Sequence, residues 1–161
     1  MRMVLGSVLG AAALLAAGVG QASALEVTRV ASLPAAAPAA VWAAIGDFCG
    51  IADWHPAVES CTLSEADGVP VRTLALKGGG TIVEKQLAWD DAAMSYSYTI
   101  LESPLPVEGY VSTISVLPDG AGSRLLWTGA FKARGASDAD AQAVIDGIYT
   151  AGMEGIAART K

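Results

Sequence analysis

Alternation of apolar and polar residues from Leu25 to Leu33 predicts a first strand. Pro34 and Pro38 then frame a short helix, in which Val41, Trp42 and Ile45 fall at helical spacing and Gly46 begins the exit. Gly50 to Pro56 reads as a second short helix or turn, stopped at Pro56. Beyond it the period changes from about 3.6 to 2. Six strands are expected, at 58–64, 71–77, 81–89, 94–101, 107–117 and 123–132. Their separators, among them Asp67-Gly68, Gly78-Gly79-Gly80, Asp90-Asp91, Ser103-Pro104-Leu105-Pro106 and Asp119-Gly120, carry residues that favour turns.

A last helix is predicted from Ser137 to about Arg159, with Ser137 or Asp138 as N-cap and Asp140 near the positive end of the dipole. Val144, Ile145, Ile148, Tyr149, Met153 and Ile156 recur at spacings of three and four, a face for burial, while Asp146 and Glu154 are expected to point outward. The order strand, two short helices, six strands, long helix predicts an α+β domain, with a curved antiparallel sheet of about seven strands wrapped around the terminal helix.

The first residues stand apart from this pattern. Arg2 precedes an apolar run from Met3 to Val19, and Ala22-Ser23-Ala24 offers the small residues that a signal peptidase reads. Residues 1–24 are therefore expected to be a signal peptide and residues 25–161 the domain. An uncleaved anchor is the alternative, but Gly6, Gly10, Gly18 and Gly20 interrupt a run already short for a span of about 20 apolar residues. A periplasmic or secreted location follows, without membrane insertion after cleavage.

Composition then narrows the partners. The whole chain of 161 residues is 53% hydrophobic and 16% charged, with net charge −6. Loss of Arg2 with the leader leaves nine basic against sixteen acidic side chains, or −7. No basic excess exists to neutralise phosphates, so neither nucleic acid nor an anionic membrane is an expected partner. One histidine and two cysteines cannot make a closed four-ligand zinc site, and no nucleotide-binding glycine fingerprint is present. No metal or cofactor is implied. In an oxidising compartment Cys49 and Cys61 are expected to pair, with two buried reduced thiols as the alternative.

The order of Ala40-Val41-Trp42-Ala43-Ala44-Ile45-Gly46-Asp47-Phe48, Asp53-Trp54-His55-Pro56, Trp89-Asp90-Asp91 and the closing helix resembles the START/Bet v1-like (SRPBCC) superfamily, in its polyketide cyclase/dehydrase and lipid-transport branch. The resemblance covers essentially residues 25–161. It implies a helix-grip fold with a cavity for a hydrophobic small molecule between the concave sheet and the C-terminal helix. From Lys77 onward the chain is also similar to abscisic-acid receptors and their bacterial relatives. That similarity places a gate loop at Gly78, Gly79 and Gly80 and a latch at Pro104, Leu105 and Pro106. It places pocket positions at Glu84, Tyr98, Tyr110 and Ser112, and the closing helix face at Val144, Ile148 and Gly152. Where those receptors carry a ligand-pairing Lys this chain has Glu59, and the latch His is absent, so a carboxylate hormone is not expected to bind.

The residues themselves say something weaker. Glu84 shares strand parity with Ile82, Gln86 and Ala88, a mixed face that suits a ligand cavity better than a dry core. If Glu59 also faces inward, repulsion between the two carboxylates would raise a pKa. Either glutamate could instead point to solvent on the convex face. His55 could be a base, but no triad partner can be assigned to it, and a corner-fixing role is favoured. Trp54, Trp89 and Trp127 read as packing residues, and Tyr96, Tyr98 and Tyr110 as better pocket candidates.

Three function classes remain. The favoured one is an exported binding protein for a lipid-, polyketide- or isoprenoid-like molecule. The second is a cyclase- or dehydrase-like enzyme using Glu84, or Glu59, as acid/base; no other catalytic residue is assigned. The third, suggested by exported members of the superfamily, is a periplasmic accessory protein of a methanol-oxidation-type dehydrogenase.

Overall fold

A computed structural model describes residues 24–160. All but the last residue of the expected signal peptide lie outside them. The elements run β1 (Leu25–Leu33), α1 (Pro38–Ile45), α2 (Ile51–Trp54), β2 (Val58–Ala66), β3 (Val69–Leu76), β4 (Thr81–Asp90), β5 (Ser95–Glu102), β6 (Val107–Asp119), β7 (Gly122–Ala133) and α3 (Asp138–Ala158). Every predicted element is present, with ends displaced by a residue or two. One seven-stranded antiparallel sheet has the order β1-β7-β6-β5-β4-β3-β2. Strands β2 to β7 form a meander, and β1 closes the far edge by pairing with β7, Leu25 opposite Phe131.

Local chemistry accounts for the turns and caps. Asp67 and Gly68 both take positive φ, 54° and 75°, in the two-residue link that sets Ala66 opposite Val69, the conformation that Asp-Gly supplies to tight hairpins. Pro38 opens α1, whose Val41 and Ile45 are fully buried. At the start of α3 the Ser137 hydroxyl accepts the Asp140 N–H at 3.1 Å, and Asp138 and Asp140 sit in the first turn.

The core lies between the concave face of the sheet and α3, which buries Ala141, Ile145, Tyr149, Gly152, Met153 and Ile156. The predicted face was too wide on one side, because Val144 is 39% exposed. Two glycines let α3 approach α2 closely. A Cβ on Gly155 would strike the Trp54 carbonyl, and one on Gly152 would lie 2.6 Å from the Trp127 ring and 2.9 Å from His55. Cys49, between α1 and α2, is bonded to Cys61 on β2 with Cα atoms 5.5 Å apart. Among the described residues, no helix is long and apolar enough to cross a membrane.

The disulfide joins residues 12 apart and ties the helical corner to an edge strand. Reduction is expected to lower stability by about 2–3 kcal/mol, the value for a loop of this order. Urea unfolding with and without reductant measures it, and an unchanged midpoint would contradict a structural role.

Candidate functional site

A cavity of about 310 Å³ separates β3–β7 from α3. Leu74, Leu76, Ile82, Ile100, Val144, Ile145 and Ile148 make its walls, Ile51, His55, Ala57 and Val58 its corner, and Leu105 comes from the loop between β5 and β6. Polar groups reach it from Glu84, Tyr98, Tyr110, His55 and Trp127. An apolar enclosure with a few placed polar groups is the usual composition of a small-molecule site.

Beneath this cavity lies an arginine that sequence reasoning did not single out. Arg72 on β3 is fully buried. Its Nε donates to Glu84 Oε2 at 2.6 Å, and its Nη1 donates to the Phe48 carbonyl at 2.5 Å. The guanidinium carbon stands 4.2 Å from the Phe48 ring centre and 4.9 Å from that of Tyr98, so aromatic faces supply further stabilisation. Nη2 has no hydrogen-bond partner among the described residues. Burial works against the charge on Arg72, but Glu84 beside it, with Tyr96 and Tyr98, outweighs burial and holds its pKa above the ordinary value. The signal was an Arg at the parity of Leu74 and Leu76 within an apolar strand. Only register sets it opposite Glu84.

The tyrosines form a directed network. Ser112 Oγ donates to the Thr128 carbonyl at 2.7 Å, so its oxygen accepts from Trp127 Nε1 at 2.9 Å and from the Tyr149 hydroxyl at 2.9 Å. Tyr149, its proton so directed, accepts from Tyr110 at 2.5 Å. Trp127 Nε1 also reaches the Tyr98 hydroxyl at 3.2 Å. Burial raises the pKa of Tyr98 and Tyr110 well above the usual value and pushes Tyr149 up to about 12, so all three keep their protons near neutrality.

His55 fixes the corner after α2. Its Nδ1 accepts the Ala57 N–H at 3.2 Å, which assigns the proton to Nε2, and that nitrogen donates to the Ile148 carbonyl at 3.1 Å. Burial is the main cause that lowers its pKa from 6.5.

The structure thus brings Glu84, Tyr98, Tyr110, Val144 and Ile148 to one cavity and separates three other candidates from it. Ser112 is buried behind the wall as the hub of the network. Gly152 packs on Trp127, His55 and Trp54, so it seats aromatic side chains and does not border the cavity. Glu59 is exposed at a bulge between Val58 and Ser60 and lines nothing; the inward-facing Glu59–Glu84 pair does not exist, and the partner of Glu84 is Arg72.

The expected face of β4 is also cut short. A bulge between Gln86 and Ala88 reverses the parity, leaving Ala88 exposed and turning Trp89 onto Tyr96, with ring centres 4.9 Å apart. Asp91 receives the indole N–H groups of Trp89 at 2.9 Å and Trp42 at 3.0 Å, which lower its pKa. Trp54 and Trp89 are packing residues, whereas Trp127 is both buried and part of the cavity wall. Of the expected gate, Gly79 and Gly80 take φ of 87° and 89°. Gly80 comes within a methyl group's reach of Pro104 (3.8 Å from a built Cβ), so the two loops meet beside Leu105.

A family model described as polyketide cyclase/dehydrase and lipid transport matches residues 24–161. Among solved structures, protein XoxI from Bacillus cereus is 33% identical, with TM-score 0.78 over 84% of this chain and 94% of its own. An uncharacterized protein from Bacillus thuringiensis is 31% identical, with TM-score 0.76 over 83% and 97%. The Zhui aromatase/cyclase from Streptomyces sp. R1128, at 20% identity and TM-score 0.68 over 85% and 93%, shares the fold. No curated protein matches this chain.

Removing one member of a buried ion pair leaves the other uncompensated. Arg72→Met and Glu84→Leu are each expected to cost about 3–5 kcal/mol, and the double variant less than the sum. A urea-unfolding cycle tests this, and additive costs would contradict the pairing.

The lone histidine offers a second test. With its folded pKa depressed, it contributes stability that is present above pH 6.5 and lost as pH falls through the lower folded value. Ring-proton NMR of the folded protein should give a midpoint below 6.5. A midpoint at or above that value would rule out the assigned environment.

Proposed function

The chain belongs to the polyketide cyclase/dehydrase and lipid transport family, and from that membership we propose that it is an exported binding protein for a hydrophobic small molecule. The observation that carries this reading is the apolar cavity between the sheet and α3, bordered by Glu84, Tyr98 and Tyr110. At about 310 Å³ it lies at the small end of the ~300–1,000 Å³ range of ligand pockets, which suits a compact ring system or a short isoprenoid. Gly78, Gly79 and Gly80 with Pro104, Leu105 and Pro106 act as the lid, since Gly80 and Pro104 are adjacent and Leu105 borders the cavity. The Cys49–Cys61 bond and the signal-like sequence of residues 1–24 support export to the periplasm or beyond. Glu84 holds Arg72, and a carboxylate so engaged is better suited to orienting a ligand than to shuttling a proton.

Native mass spectrometry of the mature protein, purified gently from its own source, is expected to show a co-purifying apolar molecule. Ile148→Trp, which places a large ring in the cavity, should abolish that adduct while the far-ultraviolet dichroism stays native. A clean apo mass in the native protein, together with no uptake of the neutral fluorophore N-phenylnaphthylamine, would refute the reading.

A further inference from the structure

The hydrogen-bond directions around the cavity restrict what the polar end of a ligand can be. All but one of the donors that border it can be followed to an acceptor. His55 Nε2 donates to Ile148, the Tyr110 hydroxyl to Tyr149, and Trp127 Nε1 to Ser112. The Tyr98 hydroxyl differs. It accepts from Trp127, and no acceptor for its own proton is found among the described residues. Glu84 is the complementary case: Oε2 is held by Arg72, and no group among the described residues donates to Oε1.

We infer that the cavity selects a neutral, hydroxyl-bearing apolar molecule, whose oxygen accepts from Tyr98 and whose proton is donated to Glu84 Oε1. This rests on the binding reading above and names the class of ligand for it. The two side chains border the same cavity, and Glu84 and the Tyr98 ring both lie against the Arg72 guanidinium. A hydroxyl satisfies one open donor and one open acceptor together, and the bond to the carboxylate is charge-assisted. A ligand carboxylate offers no proton and would face Glu84, the ionic group that borders the cavity, because Arg72 lies behind Glu84 and is not part of the wall. A hydrocarbon would cover both open groups and leave them unsatisfied. Burial, by keeping Tyr98 protonated, preserves the donor.

The test compares naphthol, naphthalene and naphthoate, which share one ring system, by titration calorimetry or fluorescence on the mature protein at pH 7. Naphthol is expected to bind at least about tenfold more tightly than either of the others, as one charge-assisted hydrogen bond implies. In Tyr98→Phe the preference for naphthol over naphthalene should shrink about fivefold, corresponding to one neutral hydrogen bond. Trp127 keeps Ser112 as acceptor in that variant, so no buried donor is orphaned. Naphthoate binding as tightly as naphthol, naphthalene binding equally well, or an unchanged preference in folded Tyr98→Phe would each overturn the inference while leaving the cavity-binding reading intact. Failure of all three probes to bind would remove both.

Discussion

The burial of one positive charge constrains this fold more than any other single feature. Arg72 lies under the cavity with no exposure, and a guanidinium in that position is tolerable only with counter-charge and hydrogen bonds in place. Three separate parts of the chain meet that demand. The β3–β4 register brings Glu84 across from it, the loop after α1 turns the Phe48 carbonyl toward Nη1, and Phe48 and Tyr98 cover its faces. The loop is itself held by the Cys49–Cys61 bond to β2, next to Phe48 in sequence. The helical corner, the edge of the sheet and the floor of the cavity are therefore coupled through one side chain.

Around that floor the cavity is shaped by exceptions to regular structure. The bulges of β2 and β4 put Glu59 outside and Trp89 inside, where strict alternation would have done the reverse for β4. Gly152 and Gly155 permit α3 to press against Trp54 and Trp127 at one end. Toward Val144 and Ile148 the same helix borders open volume. Aromatic packing closes one end of the grip and leaves the other open as the cavity.

The polar groups in the wall carry direction as well as position. A chain of hydroxyl bonds from Tyr110 through Tyr149 to Ser112 ends on the Thr128 carbonyl, which can only accept. That terminus orients every proton upstream of it. The cavity consequently presents a particular pattern of donors and acceptors, which is the basis on which binding proteins with similar apolar volume differ in ligand.

Element order, the antiparallel meander and the capped terminal helix were legible in the sequence, because hydrophobic period and turn chemistry are local and each element's pattern pointed to the same architecture, while the family was legible as a resemblance in the order of its motifs. Five of the eight pocket positions implied by the resemblance, Glu84, Tyr98, Tyr110, Val144 and Ile148, border the cavity; strand parity and helix spacing are consistent with that placement. Parity failed for Ala88 at a bulge, and at a second bulge Glu59, whose direction the sequence left open, faces solvent; bulges leave no reliable mark in a single sequence. Ser112 and Gly152 had the right face but the wrong depth, set by the bulk of Tyr149 and Trp127 packed over them. Arg72 was decided by tertiary structure alone. Its side chain is costly to bury anywhere until Glu84, the Phe48 carbonyl and two rings, from other parts of the chain, arrive together. Such a coincidence of distant groups is a property of register and packing, which local patterns do not contain.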